Sequence, residues 1–203
     1  MRDEPIRTVL WRGLFRPGRE WCALARAEDG WRLAGTALMV VEDEPAIARY
    51  DITLGEDWAT REVQVAVRIG ATGERRLRIR ADASRRWTID RDPALGVDAP
   101  TADSEAFRGL VDIDLGFTSA TNTLPIRRLA SAIDDAVDVT AVWVSFPELT
   151  IEPLPQRYLR LGERRYRYES AGGAFVAEIE VDDLGLVVSY EGGWERIAES
   201  RES

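Results

Sequence analysis

The residue types most suited to chemistry gather in one stretch, Asp112-Ile-Asp-Leu-Gly-Phe-Thr-Ser-Ala-Thr-Asn-Thr-Leu-Pro-Ile-Arg-Arg-Leu129. It holds the chain's single asparagine, Asn122, with Thr118, Thr121 and Thr123, the acids Asp112 and Asp114, and the pair Arg127-Arg128. Arginine presents a planar fork that can hold a phosphate or carboxylate through two hydrogen bonds. On a strand these two guanidinium groups would leave opposite faces, so one of them would reach a common site. The competing role is an ion pair with Asp112 or Asp114, since charges inside proteins are paired. Asn122 and the threonines offer donors and acceptors matched to sugar hydroxyls, but the same groups also satisfy their own backbone in turns and caps. Gly116 and Pro125 bracket them with turn signals. Asp112 and Asp114, two apart, would share a strand face, and two suitably separated acids can hydrolyse a glycoside. As a metal site the pair lacks further ligands.

Composition removes most other chemistries. The 203 residues contain no histidine, and all 27 basic residues are arginine. That excludes a histidine base, a Ser-His-Asp triad, histidine metal ligands, a Schiff-base lysine and a P-loop lysine. Cys22 stands alone, so neither an internal disulfide nor a cysteine-rich metal site is expected. A net charge of -9 repels phosphate backbones and anionic membrane surfaces, so nucleic acid is not an expected partner. The N-terminus lacks a signal-like apolar run and no window is apolar enough to span a membrane, so a cytoplasmic location without a transmembrane segment is the expectation. No cofactor is implied, and a homo-oligomer is left open.

The elements that must position the polar stretch read as β-structure. Val63, Val65, Val67 and Ile69 alternate with Glu62, Gln64, Ala66 and Arg68, which puts one face in a core and one in water. A turn at Gly70-Ala-Thr-Gly73 leads to Arg76-Leu-Arg-Ile-Arg80, completing a hairpin. Further strands are expected at Trp21–Ala25, Trp31–Val41, Ala46–Leu54, Val137–Phe146, Gln156–Leu161, Arg165–Ser170, Ala174–Val181 and Leu186–Tyr190. Residues 92–106 are too rich in breakers for an element, and Pro147, Pro153 and Pro155 restrict Thr150-Ile-Glu152 to a short edge piece. Ile126, Leu129, Ala130, Ile133 and Val137 fall at helical spacing, with a strand through Arg127 as the alternative. A faint repeat relates Gly35-Thr-Ala-Leu, leading to Trp58, with Gly172-Gly-Ala-Phe, leading to Trp194. Tryptophans on strands are core by default; Trp87, standing among arginines, and Tyr158 are candidates for contact with a sugar or an acyl chain.

The central motif, with Ala141-Val-Trp-Val-Ser-Phe-Pro147, Gln156-Arg-Tyr158 and Tyr190-Glu-Gly-Gly-Trp194, resembles a bacterial family labelled putative glycolipid-binding. The resemblance covers essentially the whole chain. It implies a many-stranded sheet wrapped into an incomplete barrel, similar to bacterial lipoprotein carriers, with no catalytic residues attached. The expected fold is therefore an all-β, many-stranded antiparallel sheet wrapped into an incomplete barrel, with two similar halves and at most one short helix. A single domain would span residues 1–203, with one half at about 6–91, the motif at 112–129 and the second half at about 137–197. The expected function is non-catalytic binding of an amphipathic lipid or glycolipid, with apolar strand faces holding the chains. Asp114, Thr118, Thr121, Asn122, Arg127, Arg128, Trp87 and Tyr158 would hold the head group. The alternatives are a small-molecule hydrolase using Asp112 and Asp114, or a protein-interaction module without a ligand.

Overall fold

The computed structural model describes residues 4–92 and 105–201. Its first strands are β1 (Pro5–Gly13), β2 (Gly18–Ala27), β3 (Gly30–Val41), β4 (Glu44–Leu54), β5 (Thr60–Ile69), β6 (Arg75–Ala81) and β7 (Trp87–Arg91). After the central motif come β9 (Ala136–Val144), β10 (Ile151–Arg160), β11 (Arg165–Ser170), β12 (Phe175–Val181), β13 (Val187–Tyr190) and β14 (Trp194–Arg201); the motif itself begins as β8 (Asp112–Leu115). All belong to one 14-stranded sheet in the order β7-β6-β5-β4-β3-β2-β1-β14-β13-β12-β11-β10-β9-β8. Two outward-running meanders thus meet where the first strand pairs antiparallel with the last. This all-β sheet is not closed: β7 and β8 are its two edges. The pairings are antiparallel except β8 with β9, which is parallel.

The alternation in the sequence is what curls the sheet around a core. Along β4 and β5 every second side chain is buried, so Ala48, Tyr50, Ile52, Val63, Val65 and Val67 face inward. Arginines of the first half of the sheet reach the β9–β10 turn of the second. Arg75 Nη2 donates to Pro147 O at 2.8 Å, Arg91 Nη1 to Leu149 O at 3.2 Å and Arg16 Nη2 to Phe146 O at 3.3 Å. The arginine cluster of residues 75–91 is therefore partly a fastener; Arg78 and Arg80 instead pair with Glu62 and Asp90 on the solvent side.

The polar motif departs from strand geometry after Leu115 and folds into the mouth of the curl as a plug. A single 3-10 turn over Ala120–Asn122 runs into helix α1, Thr123–Leu129. Pro125 sits in its first turn, where a missing N–H has no partner to lose. The helical spacing read beyond Leu129 does not continue: Ala130 adopts a left-handed conformation (φ 40°), and Ala136 already belongs to β9. Residues 120–126 are all buried, so the segment supplies one layer of the core.

The short edge piece expected at Thr150–Glu152 leads instead into β10, a ten-residue strand from Ile151 that contains Pro153 and Pro155. These prolines lie two apart and so turn their nitrogens to the same side, and β11 pairs only from Gln156 onward. Proline is thus tolerated where its missing donor has no neighbour. Of the two repeat segments, Gly35 lies within β3 and Gly172 in the turn before β12. Of the loop expected at 92–106, residues 93–104 lie outside the described residues, while Glu105–Phe107 forms a 3-10 turn that buries Phe107. Among the described residues no helix is long and apolar enough to cross a membrane.

Candidate functional site

Each of the eight residues selected from sequence meets a partner within the protein. Arg128 donates twice to Asp112, at 3.1 and 2.6 Å, and Asp112 is only 1% exposed. This is the ion pair weighed above against an anion site. Arg127 points the other way: its guanidinium lies 5.3 Å from the ring of Trp58, and Nη1 donates to Asp183 O at 3.4 Å. Trp58 in turn stacks on Trp31 at 4.6 Å, and Arg26 caps that ring from the far side. Arg127 therefore ties α1 to the β4–β5 turn and to the turn after β12.

Asp114 accepts from Gln156 Nε2 at 2.5 Å and, more weakly, from Thr121 Oγ1 at 3.4 Å. Burial lifts its carboxyl to about 6, against the pull of these two donors. Asn122 Oδ1 accepts from the buried Tyr158 hydroxyl at 2.9 Å, and its amide donates to Ser119 O. Trp87 is 2% exposed and donates its indole N–H to Leu110 O at 3.0 Å, which places it in the core. Asp112 and Asp114 thus serve different partners rather than one reacting centre.

Thr118 leads somewhere else. Its hydroxyl donates at 2.5 Å to Glu20 Oε1, and the Tyr50 hydroxyl donates to the same oxygen at 2.6 Å. Glu20 is a carboxylic acid on the inward face of β2, 3% exposed, and burial pushes its carboxyl up to about 7 in spite of both donors. Cys22, two residues on along the same face, is fully buried and its thiol is raised by burial and by the Glu20 charge. Tyr50 crosses from β4 to Glu20 because β3 places Gly35 between them; a Cβ there would lie 2.4 Å from the Tyr50 hydroxyl oxygen.

Glu20 also lines a cleft of about 80 Å³ that opens beside the β1–β2 turn. Phe15, Met39, Phe117 and Trp194 give it a largely apolar wall, and Gly13, Gly18, Gly116 and Gly193 leave space by having no side chain. Two polar atoms of lining residues are buried with no hydrogen-bond partner among the described residues: Glu20 Oε2 and Arg16 Nη1. Arg16 is held over the Phe146 ring at 4.9 Å, with its Nη2 spent on Phe146 O. Around the cleft the same end of the sheet exposes Leu14 (49%), Phe15 (79%), Leu38 (56%) and Val40 (44%), of which Phe15 and Leu38 also line it. None of the eight sequence-selected residues lines this cleft; Thr118 alone touches one that does. A signal for Glu20 was present, because it shares strand parity with Cys22 and Leu24 and so had to face inward with them.

Comparison with known proteins places the chain. A crystal structure of a DUF1089 family protein from Pseudomonas aeruginosa is similar at 30% identity and a TM-score of 0.74, over 88% of this chain and 92% of that one. A β-barrel-like protein of the domain of unknown function DUF1849 from Brucella abortus matches at a TM-score of 0.59 and 7% identity over the full length of both chains, which shows the fold alone. No curated protein matches. The model of the family described as putative glycolipid-binding, a binding family rather than an enzyme family, matches residues 8–196, and the chain belongs to that family.

Proposed function

We propose that this protein binds an amphipathic lipid or glycolipid without transforming it, with the polar end of the ligand in the cleft beside Glu20 and Arg16. The observation that carries the reading is an apolar-walled cleft that Glu20 and Arg16 help to line and that exposed apolar side chains ring. A largely apolar pocket with a few placed polar groups is the usual form of a small-molecule site. The family description and the curled sheet support the same class of ligand. Thr118 enters through its bond to Glu20; the plug's other polar residues serve to hold the curl in shape. The interior is filled by Trp11, Tyr50, Phe117, Leu124 and their neighbours. Acyl chains would therefore lie over the rim formed by Leu14, Phe15, Leu38 and Val40, at about 0.8 kcal/mol per buried CH₂.

Native mass spectrometry and lipid extraction on protein purified from its own host test the reading. A co-purifying lipid or glycolipid is expected; a ligand-free protein that also ignores a broad lipid panel would sink it. The second reading, an interaction module without ligand, draws on the same exposed rim. Light scattering decides it, since a rim that pairs protein with protein gives a mass that rises with concentration.

A further inference from the structure

The β1–β2 turn presents apolar side chains to water from an anchored backbone. Phe15 is the most exposed large apolar side chain among the described residues, and Leu14 stands next to it. Leu14 N donates to Gly193 O at 2.8 Å on one side of the turn, and Val40 N donates to Pro17 O at 3.2 Å on the other. Leu38 and Val40 of β3 continue the exposed surface. Phe175, also exposed, opens β12 at the same end of the sheet. Its ring lies 6.2 Å from that of Tyr190, which lies 5.4 Å from Trp194 on the cleft wall. Contiguous apolar exposure of this kind marks a contact with something apolar.

Charge selects the partner. Residues 11–19 carry Arg12, Arg16 and Arg19 and no acid. Arg12 pairs with Glu195 of β14, Arg16 lies 6.0 Å from the Phe15 ring, and Arg19 is exposed. Arginines behind an apolar tip can meet lipid phosphates while the tip enters the acyl boundary. The β3–β4 turn at the same end carries Glu42, Asp43 and Glu44, so this end as a whole gains nothing from a surface of net negative charge. A second copy of the chain fits less well. Four partly exposed side chains offer a few hundred Å² of apolar surface, short of roughly 800 Å² per partner in a stable protein interface. Each copy would also bring a net charge of -9. A lipid surface needs no matching shape. Resting on the lipid-binding reading of the adjoining cleft, we infer that Leu14 and Phe15 insert into the interface of a bilayer of zwitterionic lipid and so bring the cleft to the membrane surface.

Flotation of the whole protein with vesicles of pure phosphatidylcholine tests the docking. The protein is expected to rise with the vesicles, and Phe15→Ser and Leu14→Ser should each lower its partition to them roughly tenfold. Ile133→Ser, an exposed apolar position before β9 at the opposite end of the sheet, should leave the partition unchanged. Thermal melts check that the variants fold, and either serine variant decides the matter if the other does not. Exchanging about a fifth of the lipid for phosphatidylserine should alter the partition by less than about threefold, because the acids of the β3–β4 turn offset the arginines. Octyl glucoside, titrated by calorimetry below its micelle concentration, tests the cleft without a bilayer. Binding of octyl glucoside without flotation overturns the docking inference and leaves lipid binding standing; flotation without octyl glucoside binding does the reverse. Flotation that both serine variants retain, or that appears only with phosphatidylserine, also overturns the docking inference. So does a mass in light scattering that rises with concentration in place of flotation, which would give the turn to a second copy.

Discussion

Tyr50 donates a 2.6 Å hydrogen bond to Glu20 across the intervening strand, and Gly35 is the residue it passes over. The bond joins β2 to β4 inside the curl, and Thr118 extends it to the plug. Gly35→Ala puts a methyl group where the phenol lies, so the ring must move and the Glu20 bond with it. Overpacking of this kind costs about 1–3 kcal/mol, and loss of the bond adds roughly 1 kcal/mol. Urea denaturation should show a drop of that size, whereas Gly73→Ala, with nothing near its Cβ position, should leave the midpoint close to the wild-type value.

Glu20 makes stability depend on pH in a defined direction. Its carboxyl rises from 4.5 to about 7 on folding, chiefly through burial, with Thr118 and Tyr50 opposing the rise. Cys22, whose thiol interacts with the Glu20 charge, is a further titratable neighbour. Because the folded state holds the proton more tightly, the favourable contribution is complete below the unfolded value and is lost as pH rises through about 7. The shift corresponds to roughly 3 kcal/mol at ~1.4 kcal/mol per pH unit. Asp114, raised from 3.8 to about 6, adds a decline in a lower window. Denaturation midpoints should therefore fall between about pH 4 and about pH 7, and Glu20→Gln should flatten the upper part of that fall. An unchanged slope in the variant would mean that Glu20 is ionised throughout.

The neighbouring arginines of α1 predict unequal losses. Arg128 neutralises Asp112 through two hydrogen bonds in a setting where the acid has almost no contact with water. Arg128→Ala leaves that charge buried and unpaired, which costs about 3–5 kcal/mol for a pair of this kind, toward the lower figure because Arg128 itself is partly exposed. Arg127→Ala removes a cation–π contact with Trp58 worth about 1 kcal/mol. Chemical denaturation of the two variants should separate them by a clear margin in that order.

How much of this was legible in the sequence follows from the range over which each signal acts. Period-2 alternation is local, and Val63 to Ile69 and Leu77 to Ile79 show their inward faces without knowledge of the rest of the chain. The joining of β1 to β14 is not local, because it pairs Trp11 with Arg196 across almost the whole chain. The residues that lock that seam, Arg7, Asp182 and Arg196, look in sequence like ordinary surface charges, yet all are buried. The oddness of residues 112–129 was visible, and so was the structural alternative for Arg128. That those polar groups would be consumed by one another depended on the segment turning inward after Gly116, and no spacing rule specifies that turn. A strand that starts at Trp21 leaves Glu20, the preceding residue, without an assigned face, whereas β2 begins at Gly18 and turns it inward.

The exposed rim offers a test of where the ligand's apolar part lies. Phe15 is 79% exposed in the β1–β2 turn, and Leu38 on β3 is 56% exposed beside it, paired with Arg19 of β2. Side chains this exposed contribute little to folding, so Phe15→Ser and Leu38→Ser should each change stability by less than about 0.5 kcal/mol. If an alkyl chain lies across them, each substitution removes contacts equivalent to one or two methylene groups, about 0.8–1.6 kcal/mol, or roughly four- to fifteenfold in octyl glucoside affinity. Calorimetry on variants with wild-type melting curves makes the comparison free of folding effects. Trp21→Ser is the control: it is 47% exposed on the outer face of β2 but does not line the cleft, and it should leave affinity unchanged. A loss in the Trp21 variant with none in the Phe15 and Leu38 variants would move the chain along the outer face of the sheet toward Trp21 and away from the Glu20 cleft.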